Sequence, residues 1–515
     1  MNKLLSAILT GALLFGFSAM TAQNCGTTEQ AQYEGVQRLI QNRINAANQT
    51  GADARNATRY VPIQFHIVAN SDGNFGVKES SVLDIICRLN TKYEDQDMVF
   101  YIKDGFNYIN NNALYDNPGS VGGLNQISQN WNNTAMNIFI VNSTGNPGSG
   151  GYYQPPFAGF AKEHIVFKKS QLDITTVAHE VGHFFSLAHP FLGWGQAGDA
   201  GWDPAVHGMQ VGTYSPAGPP FVNEKMDGSN SSIAADAICD TPPDYLFANS
   251  PIHNNDCDWN GGAMDPDGVV VVTIEENIMN YFLECNDHYF TDDQKEAIQN
   301  DYDSSQRNYI KHSYVPNTDP ITMTPELYAP IDNEITAGYN IVTFDWEEVP
   351  NAQFYMLEID QVQLFNFEPK RFIVSAGTSK DVEDIFQPDV TYFWRVLPYS
   401  DGYACDLPMS ETQSFKTGES VSTKNIDEVN SWSVMPNPVR QNQILNIQVD
   451  ANEAFDANIR LYSLTGKLIK NITRQQFGIG SSSYEMNLSG VSSGMYMIAI
   501  QSEKGVINKK IVITN

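Results

Sequence analysis

The sequence predicts a multidomain chain in which one mixed α/β (α+β) domain is followed by two small all-β sandwich domains. Its 515 residues correspond to about three or four domains of roughly 150 residues each. Apolar residues make up 42% of the chain and charged residues 17%, a composition that supports packed cores and excludes global disorder. Strand and helix patterns are mixed in the N-terminal part, whereas short strand patterns dominate after about residue 325.

The N-terminus has the layout of a secretory signal peptide over residues 1–23. A positive charge at Lys3 precedes an apolar run that ends near Ala19. The run is short for a membrane anchor, and no later stretch reaches about 18 apolar residues, so no transmembrane segment is expected after signal removal. Asn24, beside Cys25, does not fit a lipoprotein signal, so we expect a cleaved, soluble export signal.

The N-terminal half alternates strand and helix patterns. Residues 24–56 are polar and partly helical in pattern, and we expect them to form a short pro-segment ahead of the folded domain. Residues 60–68 alternate as a strand does, and residues 79–90 place apolar side chains on one face of a helix. Further strands are expected over residues 98–102, 136–141 and 164–167. Strands that precede a central helix indicate a mixed α/β domain over residues 57–317.

A stretch rich in Gly, Pro and Asp, from about residue 190 to 270, predicts a long loop. Loops of that length are usually functional or stapled by a metal. After it, Thr291-Asp292-Asp293-Gln294 is a capping box that predicts a helix extending to about Tyr302.

Two all-β regions complete the chain. Residues 316–325 are rich in Pro and Thr and are expected to be a linker. The region 325–417 carries short strand patterns, with Trp346 and a later aromatic strand at 391–396 in the places expected of a fibronectin type III sandwich, which it resembles. Residues 418–430 are a second polar linker.

The last region, 431–515, carries four motifs in a fixed order. They are Pro436-Asn437-Pro438 and the segments 459–467, 493–498 and 509–513. By these motifs the region resembles the C-terminal sorting domain of the type IX secretion system of Bacteroidetes, with an unrelated β-sandwich as the alternative. The resemblance implies export through the periplasm to a secreted or cell-surface location, with the type IX secretion machinery as a partner.

The chain is strongly acidic. Asp and Glu number 59 against 30 Lys and Arg, which gives a net charge of −29. Such a surface repels phosphate backbones, so a nucleic-acid partner is not expected. Two interpretations stay open: the excess carboxylate suits calcium, a hard cation that takes oxygen ligands, or it only keeps the protein soluble.

The segment 175–189, TTVAHEVGHFFSLAH, indicates a metal centre. His179 and His183 are four residues apart, so a helix places both imidazoles on one face. His189 completes the set only if the chain turns after His183. Three neutral imidazoles with one open position are the make-up of a catalytic zinc, and Glu180 stands beside them as a general base for a zinc-activated water.

This motif resembles that of the metzincin proteases, H-E-x-x-H-x-x-G-x-x-H followed by a Met-turn. Ser186 stands where the pattern has Gly. The turn after His183 favours a positive φ at this position, and serine adopts that conformation less readily than glycine, so the geometry of the turn is in doubt. Downstream, Met279 matches the Met-turn, Tyr281 follows two residues later, and Asn280 replaces the Asp common after the Met.

The order of these motifs, with Cys239-Asp240-Thr241-Pro242 between them, resembles the pappalysin family of metzincins over roughly residues 57–312. The resemblance implies that Tyr281 is a hinged extra ligand that stabilises the tetrahedral intermediate. It also implies a calcium site, for which the candidates are Asp236, Asp240 and Thr241. Zinc, and calcium at that second site, are therefore the expected cofactors.

The function expected is that of a secreted zinc-dependent endopeptidase acting on protein or peptide substrates. The alternative is an adhesin or binding protein with a catalytically decayed metzincin fold, against which the presence of Glu180 and all three His residues argues. A zincin with a carboxylate as third ligand would need a Glu on a following helix. Glu224 lies in loop-like sequence, so His189 is the better ligand.

Specificity is expected from the segment that follows the Met-turn. Glu284 and Asp287 would place a carboxylate in the pocket for the residue after the scissile bond, where it would pair with Arg. The alternative is that both face solvent or calcium.

Export also makes disulfide bonds available to the six cysteines, but the sequence cannot choose among their pairings. The cysteines are Cys25, Cys87, Cys239, Cys257, Cys285 and Cys405. Cys25 has two interpretations. Its thiolate blocks the open position of the zinc and keeps the enzyme latent, or, as we favour, it forms a bridge, for example to Cys87.

Overall fold

The computed structural model describes residues 25–48, 58–194, 208–245, 257, 263–282, 285–336, 338–366, 369–375, 377–419, 426, 428–463, 467–502 and 505–514. The predicted signal peptide and Glu284 lie outside these residues. The chain divides into two compact units, Met1–Thr318 with Asp401–Cys405, and Asp319–Ser400 with Asp406–Asn515.

The first unit combines helices with one sheet. Its helices are α1 (Glu29–Ala47), α2 (Glu79–Lys92), α3 (Asn112–Asp116), α4 (Val121–Asn130), α5 (Ile174–Phe184) and α6 (Asp292–Asp303). Its strands are β1 (Arg59–Ala69), β2 (Met98–Asn110), β3 (Met136–Val141), β4 (Gly151–Gln154) and β5 (His164–Lys168).

The five strands form one sheet in the order β2-β1-β3-β5-β4. The first four run parallel, with Arg59 opposite Met98 and Ile63 opposite Met136. Strand β4 is antiparallel to β5 and lies at the edge of the sheet. Strand β1 is buried along nearly its whole length, as expected of a strand inside a parallel sheet with both faces covered.

Helices α2 and α6 begin and pack as their sequences predict. Helix α2 buries Val82, Ile86 and Leu89 on one face. Helix α6 opens with the capping box, in which the Thr291 side chain and the Gln294 side chain each bond the backbone of the other residue.

The second unit is built from β-strands. Its first part contains β6 (Leu327–Ala329), β7 (Glu334–Ile335), β8 (Ile341–Trp346), β9 (Phe354–Asp360), β10 (Lys370–Val374), β11 (Ser379–Glu383), β12 (Thr391–Tyr399) and β13 (Gln413–Lys416). They form two sheets, β11-β8-β6 and β10-β9-β12-β13-β7. Trp346 and Trp394 are fully buried, and the Trp394 indole donates to the Pro330 carbonyl at 2.7 Å. This arrangement is the fibronectin type III-like sandwich that the sequence predicted.

The C-terminal part forms two further sheets, β14-β16-β19 and β15-β21-β20-β17-β18. The strands are β14 (Val429–Met435), β15 (Val439–Arg440), β16 (Ile444–Ala451), β17 (Phe455–Ser463), β18 (Leu468–Phe477), β19 (Gly480–Asn487), β20 (Gly494–Ser502) and β21 (Gly505–Thr514). Asn437 explains the Pro-Asn-Pro motif, because its amide donates to the Lys510 carbonyl at 2.9 Å and accepts from the Val512 amide at 3.0 Å. The motif therefore holds strand β21 in place through two hydrogen bonds to its backbone.

Two disulfide bonds lie in the first unit, Cys87–Cys405 and Cys257–Cys285. The favoured bridge from Cys25 to Cys87 is therefore wrong, because the partner of Cys87 is Cys405, and Cys25 is a free thiol. Among the described residues, no helix combines the length and apolar character needed to cross a membrane.

Candidate metal centre

Helix α5 brings the first two histidines together. The Asp173 side chain caps the helix by accepting from the Thr176 amide at 2.9 Å. Because His179 and His183 are one turn apart, their Nε2 atoms lie 3.1 Å from each other. Both side chains are buried.

The chain turns sharply after α5 and returns His189 to the same point. Leu187 donates to the Gly182 carbonyl and Ser186 to the His183 carbonyl, both at 3.0 Å, which is the bonding pattern of a Schellman turn. Ser186 occupies the left-handed position with φ 74°. The doubt that its side chain raised about the turn is thereby resolved, because serine adopts the conformation expected of glycine.

The three Nε2 atoms converge on one point. His189 Nε2 lies 2.9 Å from that of His179 and 3.2 Å from that of His183. On their other side, His179 Nδ1 and His183 Nδ1 lie 2.8 Å from the carbonyls of Ile278 and Leu187. A carbonyl accepts only, so each Nδ1 carries the proton and each Nε2 presents a lone pair to the cluster.

Three imidazole nitrogens within 3.2 Å of one another, two of them with lone pairs directed at the cluster, form the donor set of a bound cation. Tetrahedral zinc with bonds of about 2.0–2.1 Å separates its nitrogen ligands by a little over 3 Å, close to the spacing here. Burial lowers the pKa of His179 to about 4, so this imidazole stays neutral as a ligand must. The residues present therefore fit the predicted zinc.

Glu180 lies beside this cluster and is buried. Burial raises the pKa of its carboxyl to about 7, near the range in which a carboxylate both takes and returns a proton. Its Oε2 accepts a hydrogen bond from the Thr27 hydroxyl at 3.0 Å. Thr27 was missed in the sequence, where the only signal was its position two residues after Cys25.

Met279 and Tyr281 both lie close to the histidine cluster and its helix. Met279 is buried beneath α5, so close that a Cβ added to Gly182 would lie 2.6 Å from its sulfur. The Tyr281 ring centroid lies 4.9 Å from that of His189 and 6.0 Å from that of His179. Asn280, in place of the expected Asp, accepts from the Tyr281 amide at 3.1 Å and helps to fix this segment.

Cys25 reaches the same centre from the segment that precedes α1. Its Sγ lies 3.4 Å from His183 Nε2. Ligand atoms of Cys25 and the three histidines all lie within 4.8 Å of one another, as in a four-ligand metal site. Burial, followed by the charge of Glu180, raises the pKa of the thiol.

The residues around Cys25 follow the edge strand of the sheet. Gly26 donates to the Gly151 carbonyl at 2.8 Å, and the Thr27 hydroxyl accepts from the Tyr153 amide at 2.8 Å. These contacts occupy backbone groups of β4, which is the kind of sheet edge on which an extended peptide adds as a further strand. Residues 25–27 therefore cover both the histidine cluster and the adjacent strand.

Each of the calcium candidates has a hydrogen-bond partner in the structure. Asp236 accepts from the Thr241 hydroxyl at 3.0 Å, whereas Asp240 accepts from the Asp293 amide at the start of α6 at 2.9 Å. Burial raises the pKa of Asp236, and burial followed by the charge of Asp236 raises that of Glu224. Glu224, considered in the sequence only as a zinc ligand, thus belongs near Asp236.

Of the two specificity candidates, the structure describes only Asp287. Asp287 is exposed, and Glu284 lies outside the described residues. Cys285 between them forms the bridge to Cys257.

Comparison with known proteins decides the identity of one region. A family model described as "Secretion system C-terminal sorting domain" matches residues 433–514. The C-terminal region is a sorting domain. A sorting domain of this family indicates type IX secretion to the cell surface or the extracellular space, which implies interaction with the secretion machinery. No curated protein sequence matches the chain.

Solved structures with similar regions include fibronectin modules. The chicken CNTN1 FN1-FN3 domains are 15% identical, and the match covers 38% of this chain and 69% of that one with a TM-score of 0.17. The fibronectin(III)-like modules of Clostridium thermocellum CbhA are 11% identical over 37% of this chain and 93% of theirs, with a TM-score of 0.14. The BSP domain of a biofilm associated protein is 14% identical, and the match covers 39% of this chain and 30% of that one with a TM-score of 0.14. The sandwich assignment rests on the strand order β11-β8-β6 and β10-β9-β12-β13-β7.

Proposed function

We propose that the first unit is a secreted zinc-dependent endopeptidase that resembles the pappalysin metzincins. The observation that carries the proposal is the convergence of the Nε2 atoms of three histidines within 2.9–3.2 Å, with Glu180 on the helix that carries two of them. Zinc, when bound there by His179, His183 and His189, lowers the pKa of a water molecule and polarises a peptide carbonyl.

Three further parts of the chain have separate roles in the proposed reaction. Glu180 accepts a proton from the attacking water and returns it to the leaving amine, because its carboxylate lies next to the ligands without being one. Tyr281, whose ring packs against His189, donates a hydrogen bond to the oxygen on which charge develops. Strand β4 holds the extended substrate through the backbone groups that Gly26 and Thr27 occupy in this structure.

The full chain is latent in this proposal. Cys25 reaches the histidine cluster, and Thr27 engages Glu180. A thiolate is a good zinc ligand and fills the position that water needs. Cleavage activity is therefore expected from protein in which Cys25 has been removed.

Glu180→Ala tests the mechanism in a Cys25→Ala background. The variant should keep stoichiometric zinc and its fold but lose at least about 100-fold in the rate of casein cleavage, because it lacks the proton acceptor. Glu94→Ala, which removes an exposed carboxylate of the same unit, is the matched control. Cleavage by Glu180→Ala at the parent rate would refute the mechanism. Zinc binding with no chelator-sensitive cleavage by the parent would favour the decayed binding protein instead.

We also propose calcium binding at Asp236. Glu224 Oε2 is buried with no hydrogen-bond partner among the described residues, and both carboxyl groups resist ionisation without a cation. Calcium should raise the melting temperature of the zinc-loaded protein, and Asp236→Asn should abolish that rise. A rise in melting temperature that persists in Asp236→Asn would place the cation elsewhere. If Asp287→Asn abolished the rise instead, the cation would lie at Asp287.

A further inference from the structure

Helix α1 crosses the turn after α5 at very short range. Gly35 faces Ser186, and a Cβ added to Gly35 would lie 3.3 Å from the Ser186 carbonyl oxygen. One helical turn beyond Gly35, the side chain of Arg38 enters the interior of the first unit. Only 15% of this side chain is exposed.

Three acceptors surround the Arg38 guanidinium. Its Nε lies 2.6 Å from Ser186 Oγ and 3.1 Å from Asp301 Oδ2, and Nη2 lies 3.4 Å from the Phe184 carbonyl oxygen. Ser186 and Asp301 are fully buried. Hydrogen bonds from a guanidinium to a buried carboxylate are among the stronger contacts in proteins.

The acceptors are held by residues outside α1. Asp301 Oδ1 accepts from Arg307 Nε at 2.6 Å, and the Ser186 hydroxyl donates to Asp301 Oδ2. Arg307 also donates to the Phe184 carbonyl and pairs with Glu163 at 2.8 Å. The acceptor group therefore keeps its internal bonds when Arg38 is withdrawn.

The charges of this buried group balance only with Arg38 in place. Asp301 and Glu163 carry two negative charges and Arg307 one positive charge, which leaves one negative charge without a partner. A second guanidinium is the group that neutralises it. Loss of a charge partner in the interior is costly, so α1 is attached by more than its apolar face.

We propose that Phe184, Ser186 and Asp301 form a guanidinium-binding site whose function is to hold residues 25–48 as a detachable inhibitory segment, with Arg38 as the bound side chain. The site fixes α1 against the turn that follows the metal-binding helix, and α1 in turn sets the position of Cys25 on the histidine cluster. Inhibition by this segment rests on the proposed function, whereas its attachment through Arg38 does not.

The reactivity of the Cys25 thiol measures this attachment without any catalysis. The full chain is kept metal-free with chelator and carries Cys239→Ser, which removes the other free thiol, so that a maleimide labels Cys25 alone. Arg38→Ala should raise the labelling rate about 10- to 100-fold, because a charge-assisted hydrogen bond of about 1.5–3 kcal/mol is lost. Arg38→Lys should give a smaller rise, since an ammonium cannot span the same acceptors. Arg43→Ala is the matched control from the same helix, where the side chain donates to the Ala237 carbonyl, and it should change the rate by less than about threefold.

Ser186→Gly separates attachment from folding. Glycine is favoured at the φ of 74°, so the melting temperature should hold or rise while the labelling rate increases. Equal labelling rates for Arg38→Ala, Ser186→Gly and the parent would overturn the proposal, as would an equal rise in Arg43→Ala. A protein that labels as expected but never cleaves substrate would refute the proposed function and leave the guanidinium site standing.

Discussion

At Ser186 a hydroxyl stands where a glycine hydrogen is the usual choice, and the structure gives that hydroxyl two partners. A non-glycine residue with positive φ is strained by about 1 kcal/mol. The contacts of Ser186 Oγ with Arg38 and Asp301 offset that cost. The sequence exposed the departure but not its reason, because both partners are remote in the chain.

His189 is the residue on which the zinc proposal depends most. His189→Ala removes one of the three converging nitrogens, so stoichiometric zinc should be lost from purified protein, as measured by elemental analysis. His312→Ala is the control, since that exposed imidazole lies 2.7 Å from the Thr134 carbonyl and far along the chain from the motif. Full zinc content with full activity in His189→Ala would point to another ligand and end the metzincin interpretation.

At the scale of single elements, strands β1 and β5 carry buried histidines that should make stability depend on pH. Burial lowers the pKa of His66 and of His164 to about 4. Unfolding returns each to about 6.5, so between these values the unfolded chain binds more protons. The stability these neutral imidazoles contribute is therefore complete above about pH 6.5 and is lost as the pH falls toward 4.

The expected size is about 2 kcal/mol for each histidine between pH 7 and pH 5. His66→Asn keeps a polar side chain near Asn107 and Asn137 but does not titrate, so denaturant unfolding should show a smaller loss over that range than in the parent. The difference between variant and parent is the readout, because the raised pKa of Glu180 acts in the opposite direction. Identical pH profiles for the two proteins would contradict this account of His66.

Elements with strong local patterns were predictable, and elements defined by their neighbours were not. The patterns at 60–68, 79–90 and 136–141 correspond to β1, α2 and β3. Strand β4 was missed because its four residues, Gly-Tyr-Tyr-Gln, show no period long enough to detect and owe their structure to pairing with β5. The candidate site shows the same division. Helical spacing predicted that His179 and His183 lie close together, whereas the hydrogen bond from Thr27 to Glu180 depends on tertiary packing that the sequence does not reveal.

At the scale of the whole molecule, the histidine cluster and the export address lie in different units. The histidine cluster belongs to the first unit, and the sorting-domain match begins at residue 433 in the second. Removal of residues 431–515 should leave proteolysis by the purified Cys25→Ala protein unchanged and should retain the chain in the periplasm of its host. Full-length Glu180→Ala, which keeps the address and lacks only the proton acceptor, should reach the cell surface. Efficient surface export of the truncated chain would refute the sorting role.

The bond between Cys87 and Cys405 determines which breaks in the backbone can separate these parts. The two cysteines are 318 residues apart in sequence, so a single proteolytic cut between them leaves both fragments covalently joined through sulfur. A cut within residues 316–325 therefore releases no fragment until the bond is reduced. A cut within residues 418–430 lies beyond Cys405 and leaves no covalent bond between the first unit and the sorting domain. The position of Cys405 thus makes residues 418–430, and not residues 316–325, the place where one backbone cut ends the covalent link between the first unit and the sorting domain.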